Sequence, residues 1–399
     1  MKYIELKDIN EYKSESINPA KMQETIFELY SVPVYETGHP EYLTGKEIAS
    51  SKILVRKNDI LLCKINPRIN RVWIVRKESE NINIASSEWI VIRNNKYNPE
   101  FLAWYFRSRK FRQLMVSEVT GIGGSLTRAQ PKRVAKYPVP IMDRIVQDKI
   151  VYRLNRIQKI IDMKKKELTK LDSLIQSRFV ELFGDAVYND KKWETDTVKN
   201  LCKEIYGGGT PSKAHPEYYK DGDIPWVSAK DMKTDVLKDS QIKINQLGVD
   251  NSTARLVPVN SVIMVIRSGI LKHILPIAVN KVPITVNQDL KVFIPGERIL
   301  TRFLAVQFKM QEKDILSGVR AVTADNIEFN SLKQRRMIVP PIDLQQKYLM
   351  FLERIDKSKF VIHKFLYCTT HNTKSIINPR PNTKESGKIR GGKPHADEF

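Results

Sequence analysis

The chain has 399 residues, and its 67 Lys and Arg against 45 Asp and Glu leave a formal charge of +22. That length allows two or three domains with real cores, and that charge points to a polyanionic partner, nucleic acid ahead of an anionic membrane face. Cys63, Cys202 and Cys368 stand far apart, which argues against a disulfide framework and gives no metal-ligand spacing.

The opening residues Met1-Lys2-Tyr3-Ile4-Glu5 are not a signal peptide, and no run of about 18 apolar residues exists to span a membrane. The expectation is a reduced, cytoplasmic protein. Residues 1–141 read as a mixed domain of short strands. Lys52-Ile53-Leu54-Val55 precedes a polar turn at Lys57-Asn58-Asp59, and Ile60-Leu61-Leu62-Cys63 resumes after it. Val72 to Val75 and Trp89 to Ile92 are further strands by β-branched and aromatic content. Pro99 suits the first turn of a helix through Phe101, Leu102, Tyr105 and Phe106.

Residues 142–184 form the clearest helix. Ile150, Leu154, Ile157, Ile161, Leu168, Leu171 and Ile175 make a coiled-coil stripe, interrupted where Lys164 takes the seam. Forty-odd residues give a rod of roughly 60 Å, and Gly184 ends it.

Residues 190–342 repeat the order of the first body. Val262 to Ile266, Ile284 to Val286 and Leu290 to Ile294 are strands, and Ile299 to Met310 is a helix. Ser317-Gly318-Val319-Arg320 falls where Thr120-Gly121-Ile122-Gly123-Gly124 falls earlier, so the chain reads as a divergent internal duplication. The first body begins abruptly at Met1, without the opening seen from Trp193 to Lys213. Residues 343–366 carry a partner stripe at Tyr348, Leu352, Ile355 and Ile362, with Lys359 on the seam. Neither rod hides its stripe alone, and antiparallel packing would bury both. Residues 367–399 lack periodicity and read as a mobile tail. The fold class expected is α+β: two pseudo-symmetric mixed α/β domains separated by a pair of long antiparallel coiled-coil helices.

Catalytic chemistry is hard to find. Gly207-Gly208-Gly209-Thr210-Pro211-Ser212-Lys213 lacks the Gly-Lys pair of a nucleotide loop, and Pro211 interrupts entry to a helix. A glycine loop whose amides approach DNA phosphate fits better; a tight turn beside a strand is the plainer alternative. The six histidines are scattered, no metal set stands out, and Asn66-Pro67-Arg68 only partly echoes an amino-methyltransferase motif. The basic clusters say more. Lys64, Arg68, Arg71, Arg128, Lys132 and Arg133 lie in the first body, and Lys213, Lys230, Arg267, Lys272 and Arg320 in the second. Such side chains serve phosphate contact and guanine reading. Asn66, Thr210, Ser228 and Ser268 are polar neighbours for base edges. Any one of these residues is more simply a solvated charge or polar surface group; their clustering in matching loops favours a DNA face. Trp226 is read as a loop anchor before a stacking platform.

Gly208-Gly209-Thr210-Pro211-Ser212, Tyr218-Tyr219 and Gly222-Asp223-Ile224-Pro225-Trp226-Val227-Ser228-Ala229-Lys230-Asp231-Met232 together resemble the opening of a target-recognition domain in type I restriction-modification specificity subunits. Val339-Pro340-Pro341-Ile342 with Gln345-Gln346-Lys347, and Leu171 to Phe179 with Phe183-Gly184-Asp185, are similar to that family's junctions with its conserved helices. The resemblance covers almost the whole chain to about residue 365. It implies two target-recognition domains reading the halves of a split target in double-stranded DNA. Two antiparallel helices would act as a ruler for the unspecified spacer and a dock for two modification (methyltransferase) subunits. Restriction subunits can join them. The chain itself would bind no cofactor and catalyse nothing; the complex would use S-adenosylmethionine for adenine methylation, and ATP with Mg2+ for restriction. The rival readings are a solitary DNA-binding scaffold or regulator, and a coiled-coil protein adaptor.

Overall fold

A computed structural model describes residues 2–117, 119–120, 127–321 and 325–377. The chain divides into two compact units, Met1–Lys165 with His363–Phe399, and Lys166–Ile362. Each long helix contributes to both. Residues 144–165 of the first helix belong to the first unit and 166–183 to the second.

In the first unit, alternating and fully apolar runs become strands as their composition demands. Ile60–Cys63 is buried throughout and is flanked antiparallel by Val72–Ile74 and Trp89–Ile92. Asn58, at φ 73, supplies the left-handed residue of the polar turn before it. Ile26–Tyr30 pairs parallel with Ile82–Ala85 and antiparallel with Glu41–Thr44. Pro99–Arg107 is a helix with Pro99 at its first position, and the Asn98 side chain accepts from the amides of Glu100 and Phe101. Phe101, Leu102, Phe106, Phe111 and Val151 close the core beneath it.

The second unit repeats these pairings. Val262–Val265 lies antiparallel between Ile277–Asn280 and Leu290–Pro295. Ile224–Val227 pairs parallel with Thr285–Val286 and antiparallel with Lys243–Ile244. The helix Thr301–Met310 takes the place of Pro99–Arg107. The duplication extends to the start of the chain, which corrects the expectation of an abrupt first body. Tyr3–Glu5 pairs with Pro138–Pro140 as Thr195–Thr197 pairs with Arg336–Ile338. A four-residue helix follows in each case, Leu6–Ile9 and Val198–Leu201. What the first copy lacks is the tryptophan and the glycines, not the strand. Part of its glycine-rich segment, 121–124, lies outside the described residues.

The first long helix runs Arg144–Phe183, and Gly184 ends it in the left-handed conformation at φ 76. The second runs Ile342–Ile377, so helix replaces the tail expected from residue 367, and residues 378–399 lie outside the described ones. Within the second unit the helices run antiparallel. The Tyr348 hydroxyl donates to Ile175 O at 3.2 Å, and its ring lies 5.7 Å from Phe179 and 5.5 Å from Phe183, whereas Lys359 pairs with Asp172. That pairing gives the seam lysine a counter-charge. Tyr348, Leu352, Ile355 and Ile362 are buried; Leu168, Leu171 and Ile175 are half-buried. In the first unit, Leu154 and Ile161 are buried and Ile150 and Ile157 half-buried. No described helix is long and apolar enough to cross a membrane.

Candidate nucleic-acid interface

The turn between Thr285–Val286 and Leu290–Pro295 gathers the charge of the second unit. Arg267 Nε donates to Asp289 Oδ1 at 2.6 Å, and the arginine remains about half exposed. Burial first, then the nearby charges of Lys333 and Arg267, push the Lys291 ammonium below its usual range. Lys291 and Lys333 lie 4.8 and 4.3 Å from the centre of the Phe329 ring, a cation–π arrangement. Three cations near one carboxylate form a site that favours an anion. Sequence reasoning found Arg267 but missed Lys291 and Lys333. Lys291 lies inside a strand, and Lys333 in a short helix some 40 residues away in sequence, so only the fold brings them together.

Thr210 donates to Gln288 in the same turn, which brings the glycine loop alongside it. The glycines serve the protein's own packing. A Cβ on Gly208 would lie 1.9 Å from Val286 O, and one on Gly209 2.4 Å from the Thr253 carbonyl carbon. The Gly209 amide donates to Val286 O at 3.0 Å, and Trp226 Nε1 donates to Gly209 O at 3.0 Å. The plainer reading of a turn beside a strand therefore accounts for Gly208 and Gly209, and Trp226 is the loop's buried anchor. The Gly209 amide is already committed and is not a phosphate donor.

The other assigned residues divide. Lys213 and Lys230 are exposed with no ion-pair partner among the described residues. Ser228 turns inward: its hydroxyl donates to Asp231 Oδ2 at 2.8 Å, so it shapes a turn instead of facing bases. Ser268 accepts from the Ile270 amide at 3.4 Å and caps the short turn that carries exposed Lys272. The side chain of Arg320 lies outside the described residues.

In the first unit, Arg128 makes a two-pronged contact with Glu88 at 3.2 and 3.3 Å. Lys64 is half-buried beside it, and its amide donates to Glu88 O. Arg68 Nε donates to Asn66 Oδ1 at 2.9 Å, with Asn66 itself held at φ 53. Lys132 and Arg133 are exposed on the helix Pro131–Val134. Arg71 is the exception: its side chain is 18% exposed and sits 3.9 Å from Glu36, which withdraws it from a DNA face. Arg68 also borders a cleft of about 890 Å3 whose lining includes Asn70, Arg109 and Arg112, three residues that sequence reasoning did not name. No group of His, Cys, Asp and Glu able to hold a metal occurs among the described residues.

The strand pairings repeated in the two units, the cationic turn of the second unit and the long helices together define a class of protein. Residues 190–366 match the type I restriction modification DNA specificity domain. The chain is homologous to type I restriction enzyme specificity subunits. It is 32% identical over 230 residues to the EcoR124I/EcoR124II specificity subunit of Escherichia coli, covering 55% of each chain. It is 29% identical over 174 residues to the MjaIX specificity subunit of Methanocaldococcus jannaschii, covering 42% of this chain and 38% of that one. The chain thus spans about half the length of these relatives or less. Two solved structures share the fold. One comes from work on complex assembly and conformational transition of the type I R-M system, at TM-score 0.62 and 17% identity, covering 94% of this chain and 96% of that one. The other is the S subunit from M. genitalium, at TM-score 0.52 and 12% identity, covering 94% of each chain.

Proposed function

We propose that this chain is the DNA-binding specificity subunit of a type I restriction-modification complex. It reads a bipartite target in double-stranded DNA, one half with each unit, and has no catalysis of its own. The observation that carries this reading is the cluster of Arg267, Lys291 and Lys333 around Asp289, which lies inside the matched specificity domain. Phosphate contacts from such clusters give salt-dependent affinity, and groove contacts give sequence choice.

The long helices act as the ruler for the spacer and as the dock for two modification subunits, with restriction subunits joining the complex in the cytoplasm. The stripe residues that are buried within their own unit serve helix packing. Docking falls to apolar residues left outside, Tyr152 and Met163 on the first helix and Met350, Phe360 and Val361 on the second, each at least 58% exposed. S-adenosylmethionine, and ATP with Mg2+, belong to the partner subunits. Co-expression with a type I modification subunit, followed by genome-wide mapping of methyladenine, tests the proposal. A split motif with a fixed spacer is expected; methylation with no split motif, or none, would sink it.

A further inference from the structure

The two units place an arginine and an acid at one equivalent spot, but build the pair differently. Backbone hydrogen bonds define the equivalence. Lys64 N donates to Glu88 O at 3.0 Å as Ile266 N donates to Asp289 O at 2.9 Å. Ala129 N donates to Lys64 O at 2.8 Å as Ile327 N donates to Ile266 O at 2.9 Å. Glu88 therefore corresponds to Asp289, Ile65 to Arg267, and Arg128 to Asn326. The isolated bridges agree, Ile65 with Arg128 and Arg267 with Asn326. In the first unit the arginine stands on one side of that bridge, and in the second on the other. In both it reaches the same acidic turn and stays about half exposed, at 46% and 49%.

An exposed ion pair of this kind contributes little to folding, so stability alone is a weak reason to rebuild it from the opposite strand. The contacts instead restrain a flexible side chain. Asp289 takes the Nε and Nη2 edge of Arg267, and Asn287 Nδ2 donates to its other oxygen at 3.0 Å. The outer Nη1–Nη2 edge of the guanidinium has the fork geometry that matches O6 and N7 of guanine in the major groove. A lysine keeps the charge but cannot reproduce a fork held from behind.

We infer that Arg267, and Arg128 at the equivalent place of the other unit, each read a guanine, positioned for it by Asp289 and Glu88 respectively. The inference rests on the DNA-recognition reading above and adds the base and the positioning residues. The acids touch no base. Facing DNA, they weaken general attraction while sharpening choice.

The test is selection of bound sequences from a randomised duplex pool by the full chain and its variants. R267K is expected to relax one guanine of one half-site by about ten- to hundred-fold, leaving the other half-site and the salt dependence unchanged because the charge is kept. D289N should relax the same position while raising affinity for unrelated duplex at low salt. R128K and E88Q should do the same in the other half-site. An unaltered wild-type motif in R267K would overturn this assignment alone. A uniform loss across all positions in R267K would mark a phosphate contact and overturn it too. Uniformly weaker binding by D289N would reduce Asp289 to a structural role and overturn the positioning claim. If D289N fails to fold, R267K, altered at a half-exposed side chain, still decides the guanine assignment. A wild-type chain that enriches no sequence overturns the DNA-recognition reading and this inference with it.

Discussion

Gln345 and Gln147 occupy equivalent places near the starts of the two long helices and are buried, at 0% and 2% exposure. Gln345 Oε1 accepts from Leu300 N at 2.9 Å, and its Nε2 donates to Pro340 O at 2.8 Å and Arg298 O at 3.1 Å. Gln147 accepts from Asn98 N and donates to Met142 O, both at 2.8 Å. Each glutamine thus ties a long helix to the start of another helix of its unit, Pro99–Arg107 for Gln147 and Thr301–Met310 for Gln345, and to a carbonyl five residues back. Gln345→Ala leaves one amide and two carbonyls without that partner, and Gln147→Ala leaves one of each. At about 1–3 kcal/mol for a buried group left unpaired, and less where a carbonyl finds water, the expected losses are roughly 3–5 and 2–4 kcal/mol. For a unit the size of Lys166–Ile362, the larger loss lowers its melting temperature by about 6–20 °C. Hydrogen exchange read by mass spectrometry resolves the units separately. Gln345→Ala should lower protection in the second unit, and Gln147→Ala in the first. Gln345→Met separates causes, because it fills the space but makes no such bonds. Full stability in the Met variant, or loss of protection in the wrong unit, would refute the hydrogen-bond argument.

Gly208→Ala forces a methyl against the Val286 carbonyl and should cost about 1–3 kcal/mol in urea unfolding, while Gly318→Ala, whose nearest neighbour would be 3.7 Å away, should change little. Glu28 is fully buried. Burial alone would raise its carboxyl, but donors from Ser79, Tyr30 and the Glu78 amide hold it below the ordinary range. Its stabilisation is therefore present above the unfolded carboxylate pKa and is lost as pH falls through the lower folded value. Glu28→Gln should flatten that acid limb in unfolding curves taken down the pH scale. Removing seven residues between Ile157 and Leu171 should shorten the methylated motif's spacer and keep both half-sites; an unchanged spacer counts against the ruler. Met350→Glu with Phe360→Glu should reduce co-purification of the modification subunit and leave DNA binding by the chain intact.

Periodicity was legible wherever one local pattern decides structure. The stripe from Ile150 to Ile175 marks the first long helix, and the strands Ile60–Cys63 and Trp89–Ile92 fall where β-branched and aromatic runs place them. The opening of the first unit was not legible. Tyr3–Glu5 is three residues long, and its partner Pro138–Pro140 is more than 130 residues away, so no local signal announces the pair. The helix from 367 to 377 was missed for the opposite reason: polar residues there hide a continuation that begins in a strong stripe.

The site follows the same division. A basic residue can be read from a sequence, but whether its charge is available depends on what the fold sets beside it. Arg71 and Arg267 look alike as isolated arginines near strand ends. One is withdrawn to 18% exposure near Glu36, whereas the other is half exposed and aimed from behind by Asp289. The glycine loop reverses in the same way. Three glycines beside a threonine suggest space for a ligand, yet Val286 and Thr253 occupy that space. What the loop contributes is Thr210, carried to Gln288 at the edge of the charged turn. Gly208 and Gly209 are thus needed for the position of the proposed reading surface, and the Gly209 amide supplies none of its contacts. A substitution at Gly208 should consequently shift affinity and stability together, whereas one at Arg267 should alter sequence choice with stability unchanged.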